Sequence, residues 1–191
     1  YGRDLGAGQY RPAFADLLRA ANDVPGIRRI RFTSPHPKDL RADTIAAMAE
    51  CEHVCEQLHL PLQSGSDRVL AAMRRGYTAE RYLERIDAAR AVIPDLALTT
   101  DIIVGFPGET DDDFDRTLEV VEAARYDSAY TFIFSPRPGT RAAEMTDRFV
   151  APEVAAERMQ RLTAAVERHA LARQEARVGR VEEVLVDGPS K

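Results

Sequence analysis

Four short segments hold most of the residues in this chain that are equipped for chemistry. In Thr33-Ser34-Pro35-His36-Pro37 an imidazole sits between two prolines that stiffen its backbone. His36 can serve as a base, a ligand or a hydrogen-bond donor, or do no more than complete a turn. In Leu60-Pro61-Leu62-Gln63-Ser64-Gly65-Ser66-Asp67, Gln63 offers two donors and an acceptor, Ser64 and Ser66 offer hydroxyls, and Gly65 permits close backbone approach. That set suits a ribose or an amino-acid carboxylate at a helix N-terminus, and equally an ordinary capped turn. The segment from Asp101 to Thr110 (DIIVGFPGET) brackets Phe106-Pro107 with Gly105 and Gly108, a shape that can lay backbone against a flat ring. It lacks both the Lys-Ser/Thr of a phosphate-binding P-loop and the GxGxxG spacing of a dinucleotide fold. Asp101 alternates onto one side of an apolar run, so it is either a solvated edge residue or a polar group aimed at a cavity. In Ser135-Pro136-Arg137-Pro138-Gly139-Thr140, prolines hold Arg137 stiffly enough to grip a phosphate or carboxylate bidentately, or leave it solvated.

The two cysteines offer less. Cys51-Glu52-His53-Val54-Cys55 cannot by itself complete a three-cysteine cluster, and structural zinc normally takes four ligands. At the end of a helix Cys51 and Cys55 would share a face and pack as small apolar residues. No metal site is expected here.

The elements that must position these loops show in the hydrophobic pattern. Residues 27–34 (IRRIRFTS) alternate apolar and basic side chains and predict a strand with one solvated face. A second strand is expected within 54–63, beginning near Leu58, a third over 96–105 (LALTTDIIVG) and a fourth over 129–135 (AYTFIFS). Between them, Ser66, Thr78 and Thr110 are placed to cap helices, the last followed by three aspartates that favour a helix N-terminus. Such alternation predicts a parallel α/β sheet, closed as a partial barrel or doubly wound, with functional groups in the loops after the strands. Residues 152–177 read as one long helix, and Gly179 breaks it before 181–186 (VEEVLV), which alternate like the first strand of a new unit.

Bulk properties bound the possibilities. The 191 residues, 45% of them hydrophobic, suffice for one main domain with an appendage. With 26 basic against 31 acidic residues the net charge is −5, which argues against an overall cationic nucleic-acid binder while leaving room for a local basic patch. No apolar run approaches membrane-spanning length, and the cysteine usage suits a reducing cytosol, so a cytoplasmic protein without membrane or DNA partners is expected. Tyr1 at the start and Pro189-Ser190-Lys191 at the end read as the edges of a piece of something longer.

Taken in order and spacing, TSPHP, LHLPLQSGSDRVLAAMRRGYT, TTDIIVGFPGET and SPRPGT closely resemble the MiaB-type tRNA methylthiotransferases, radical S-adenosylmethionine (SAM) enzymes. The resemblance runs over the whole chain. It implies a TIM-like partial parallel barrel over 1–178, and at 179–191 the truncated start of a TRAM module, a small β-barrel that grips tRNA. It implies SAM contacts from Gln63, Ser64, Asp101, Gly105, Phe106, Pro107, Gly108 and Glu109, and substrate or tRNA contacts from His36, Ser135 and Arg137. The family attaches a methylthio group to an isopentenyl-modified adenosine beside the anticodon, using SAM and two [4Fe–4S] clusters. The family's CxxxCxxC ligands have no counterpart here, so this chain alone is expected to be inactive. Alternatives remain open: the sister family that modifies a ribosomal-protein aspartate or another radical SAM enzyme, a different α/β-barrel enzyme using His36 and Glu109 as acid and base, and a non-catalytic RNA-binding module.

Overall fold

The β-branched run in the middle of the chain forms the strand around which the rest is arranged. The computed structural model describes residues 13–33, 35–186 and 188–189; Tyr1, Ser34, Asp187, Ser190 and Lys191, which carry part of the expectations above, lie outside them. β1 (Gln57–His59), β2 (Ala97–Val104) and β3 (Ser128–Ile133) form a wholly parallel sheet with β2 in the centre. α3 (Asp67–Ala72) and α4 (Ala79–Val92) carry the chain from β1 to β2, and α5 (Asp111–Ala124) carries it from β2 to β3. α1 (Phe14–Asn22) and α2 (Ala42–Glu50) precede the sheet, and α6 (Pro152–Glu175) follows it.

Burial along β2 alternates strictly. Leu98, Thr100, Ile102 and Val104 are buried in the core with Tyr82, Ile86, Phe114, Val121 and Leu162 from the helices. Ala97, Thr99, Asp101 and Ile103 point to the opposite face and are only half-buried. Parallel sheets are usually covered on both faces. Here the described helices cover one, and the other carries the exposed Tyr130 and Phe132, which lie in register with Asp101 and Ile103.

The structure shortens two expected strands for identifiable reasons. Among the described residues of 27–34, only Ile30 pairs, bridging to Val54 through bonds to His53 O and from Cys55 N. The segment it meets is a short link between a turn and β1, so no longer ladder can form. β1 stops at His59 because Pro61 has no N–H and the Leu62 N–H turns to Thr100 Oγ1, 2.9 Å away. The chain rejoins the sheet at Gln63, in a left-handed conformation (φ 67°), whose N–H reaches Asp101 O at 2.8 Å. Carbonyls left over by this interruption are satisfied by side chains: Tyr82 Oη and Thr100 Oγ1 both donate to Leu60 O, and Tyr77 Oη donates to Leu62 O.

Residues 181–186 form no strand; with no neighbouring strand to supply a ladder, Val181, Val184 and Val186 stay exposed. α2 ends at Glu50, so Cys51 is buried at its C-terminus while Cys55 lies beyond a turn, and the two share no helix face.

The three expected caps are all made, by Ser66 to Val69 N, Thr78 to Arg81 N and Thr110 to Asp113 N. Asp113 does more than close its own capping box. It accepts from Thr110 N at 2.8 Å, from Ser66 Oγ at 2.6 Å and from the Arg68 guanidinium, and so ties the loop after β1 to the loop after β2. Burial alone would raise its proton affinity, yet the bonds from Arg68, Ser66 and Thr110 win and hold its carboxyl well below the usual carboxylate range. A depressed folded-state pKa contributes stability above the unfolded value, near pH 4, that is lost as pH falls below it. Asp113→Asn is therefore expected to cost on the order of 1–3 kcal/mol at pH 7 and to flatten the acid limb of stability. Urea unfolding at pH 3 to 7 checks this; parallel wild-type and variant curves would contradict it.

Candidate functional site

Where the three strands end, their loops enclose a cleft of about 1220 Å³. Gln63 from the β1 loop, Asp101 and Ile103 from β2, Phe106 from the loop beyond it, and Phe132, Ser135 and Arg137 at the end of β3 all line it. Five of the eleven residues expected to bind thus meet in one place: Gln63, Asp101, Phe106, Ser135 and Arg137. Carboxylate, amide, guanidinium and aromatic surface converge on a volume fit for a nucleoside-sized ligand.

The other six are placed differently. The Ser64 hydroxyl is fully buried behind the cleft, 3.4 Å from Thr117 Oγ1, and accepts from Ser66 N. Gly65 does permit close approach, but to α5: an added Cβ would lie 2.5 Å from Arg116 O. His36 closes the turn over Pro37–Asp39 by accepting from Lys38 N, with its ring packed edge-on to Tyr77. Burial, and then the charge of Arg75, push its pKa below the ordinary value. Gly105, Pro107 and Gly108 shape the loop without lining the cleft; Gly105 (φ 73°) lies where a Cβ would press to 3.1 Å on Ala155 of α6.

Glu109 also lies outside the cleft lining. Its carboxylate turns inward, accepting from Gly105 N at 2.7 Å and from Arg158 Nη1 at 2.8 Å. Both side chains are almost fully enclosed, at 1% and 4% exposure. Arg158 Nη2 reaches on to Asp111 Oδ1 at 2.7 Å, and its guanidinium lies over the Phe114 ring. Burial raises the Glu109 pKa, with Gly105 N–H and Arg158 opposing it. A carboxylate locked in this way cannot partner His36 as an acid–base pair, which removes that alternative. Glu109 shapes the loop that carries Phe106.

Sequence reasoning missed several residues in the cleft and one, His59, that supports a cleft residue from outside its lining. His59 fixes Asp101 from the next strand: its Nδ1 lies 2.9 Å from Thr99 Oγ1 and its Nε2 3.4 Å from Asp101 Oδ2, with Tyr130 edge-on at 6.1 Å. Only the parallel register, which pairs His59 with Thr99 and Asp101 with Tyr130, brings this polar layer together. Arg74, Arg75, Arg141 and Arg148 line the same cleft. The Arg74-Arg75-Gly76 run was the available signal for the first two.

A family model described as the radical SAM superfamily matches residues 6–121. The chain is 59% identical over 186 residues to a tRNA-2-methylthio-N(6)-dimethylallyladenosine synthase of Acidothermus cellulolyticus, covering 97% of this chain and 37% of that protein. It is 53% identical over 191 residues to the synthase of the same name from Acetivibrio thermocellus, covering 100% of this chain and 39% of that protein. The chain thus spans little more than a third of these relatives. Among solved structures, coproporphyrinogen III oxidase of Escherichia coli, a radical SAM enzyme, superposes with a TM-score of 0.63 at 18% identity, over 86% of this chain and 39% of that one. The partial-barrel expectation agrees with that likeness of fold.

Arg158→Ala should strand the Glu109 carboxylate in a buried site and cost about 3–5 kcal/mol, whereas the paired change Glu109→Gln with Arg158→Met should recover most of that. Chemical unfolding of both variants decides the matter. Equal losses in the two would mean that charge pairing is not what holds the loop.

Proposed function

We propose that this chain, which belongs to the radical SAM superfamily, is the part of a tRNA methylthiotransferase that receives SAM and the target nucleotide. The observation that carries this is the meeting of Gln63, Asp101, Phe106 and Arg137 in one cleft at the ends of three parallel strands. The names of the relatives favour the tRNA branch over the ribosomal-protein branch.

The residues present fit SAM. Gln63 and Asp101 would bond ribose hydroxyls, Phe106 and Ile103 would flank the adenine, and the arginines of the cleft would meet the carboxylate. His59 holds the Asp101 side chain in the orientation this needs, and the Glu109–Arg158 pair holds Phe106 in place. Ser135 and Arg137, at the outer end of β3, would receive the adenosine and its adjoining phosphate. When bound, SAM would supply radical and methyl-transfer chemistry at this site. Cluster binding does not fit the residues described. Cys51 is buried in the core, and among the described residues no three of His, Cys, Asp or Glu gather at a metal-binding distance. What these side chains contribute is binding, orientation and exclusion of water.

Residues 179–191 are proposed to lead into the TRAM module; Arg28 and Arg29 hold this segment through Glu183. Among the described residues no helix is long and apolar enough to cross a membrane. A cytoplasmic location follows from the tRNA partner as part of the same proposal.

Gln63→Asn shortens the amide while tolerating the left-handed backbone. It should weaken SAM binding about tenfold by calorimetry, the equivalent of about 1.4 kcal/mol. Unchanged affinity would remove Gln63 from the site. Anaerobic reconstitution of this chain with iron and sulfide should give no stoichiometric cluster signal by electron paramagnetic resonance; such a signal would contradict the assignment of the cysteines.

A further inference from the structure

The cleft is far more basic than the protein. Arg74, Arg75, Arg137, Arg141 and Arg148 line it against Asp101, Glu144 and Asp147, in a chain of net charge −5. Among the described residues only Arg148 of these five makes an ion pair, a long one of 3.8 Å to its neighbour Asp147. Elsewhere many arginines pair with acidic side chains, as at Arg19, Arg158, Arg161, Arg168 and Arg173. The described arginines without an ion pair outside the cleft, such as Arg81, Arg85 and Arg125, are not gathered around one concavity. Leaving four guanidiniums unpaired around one concavity fits a site whose counter-charge arrives with the ligand.

Arg74 stands out within this group. It follows α3 in a left-handed conformation, φ 59°, as the Arg74 N–H bonds to Ala71 O and the Arg75 N–H to Leu70 O. Glycine or asparagine occupies such a position without strain; a long side chain does not. Gly76, with φ 60° and nothing near its absent Cβ, shows relaxed left-handed backbone two residues on. Backbone strain retained at a cleft points to a use for the side chain. Arg75 is half-buried beside His36, while Arg74 is exposed. That places Arg74 where a solvent-borne polyanion, rather than an enclosed small ligand, makes first contact.

We propose that Arg74 seats a backbone phosphate of the RNA next to the nucleotide entering the cleft, at the expense of local stability. This rests on the RNA-substrate reading above. A guanidinium matches phosphate oxygens with two parallel hydrogen bonds and keeps its charge at any relevant pH.

The test sets stability against binding in the same variant. Arg74→Gly in the 191-residue chain should raise Tm by roughly 2–4 °C by relieving the left-handed residue. The same variant should bind a labelled RNA hairpin with an anticodon-sized loop about five- to tenfold more weakly at low salt. The slope of log Kd against log salt should fall by about one. Arg74→Lys should keep the slope near that of the wild type. Unaltered affinity and slope in Arg74→Gly, or a Tm below the wild type, would overturn the proposal, as would polyglutamate competing as well as unlabelled RNA. Failure of the wild type to bind the hairpin would sink the RNA reading itself. Loss of SAM binding in Arg74→Gly with RNA binding intact would overturn the proposal and assign Arg74 to the cofactor.

Discussion

The buried carboxylate of Glu109 is the constraint through which the loop after β2 and the C-terminal helix become one object. It takes the Gly105 N–H and the Arg158 guanidinium at once, while Arg158 extends to Asp111 at the start of α5. Without that anchor the loop's conformation would rest on Gly108 N bonding to Arg148 O and on Phe106 packing against Phe134. A charge enclosed to this degree is tolerated only because the opposite charge is held against it. The consequence reaches the cleft, since Phe106 stands on one side of the loop and α6 on the other.

A second polar network does the same work between the first two loops. Asp113 gathers Ser66, Arg68 and Thr110, and Thr100 and Tyr82 take up the carbonyls that the broken end of β1 leaves unpaired. The strand is interrupted so that Gln63 can turn its side chain toward the cleft, and the exposed carbonyls are the cost. Buried hydroxyls meet that cost with no charge introduced. Asp101 sits between these two anchored loops on a strand that needs no such help, oriented by His59 from its neighbour.

Much of this was legible in the residues. Ser66, Thr78 and Thr110 marked their helix starts because their side-chain oxygens have one effective use there, and β2 was unmistakable from LTTDIIV. α1 escaped notice because Ala13 at its N-cap offers no side-chain oxygen. Inward and outward orientation was harder. Glu109 in a glycine-rich loop looks like a ligand contact until Arg158, 49 residues on, is seen to claim it. His59 looked like any polar residue in a strand because the register that sets it against Thr99 and Asp101 is a property of two distant segments. Gly65 was rightly read as a point of close approach, and the approaching body proved to be α5.

The account stands most directly on where SAM binds. Amide chemical-shift mapping of the isotopically labelled chain, titrated with SAM, would show it. The largest changes should fall on Gln63, Asp101, Ile103 and Phe106, with smaller ones at Arg137. Changes confined to the opposite end of the sheet, around Arg90, Arg125 and Arg173, would contradict the account.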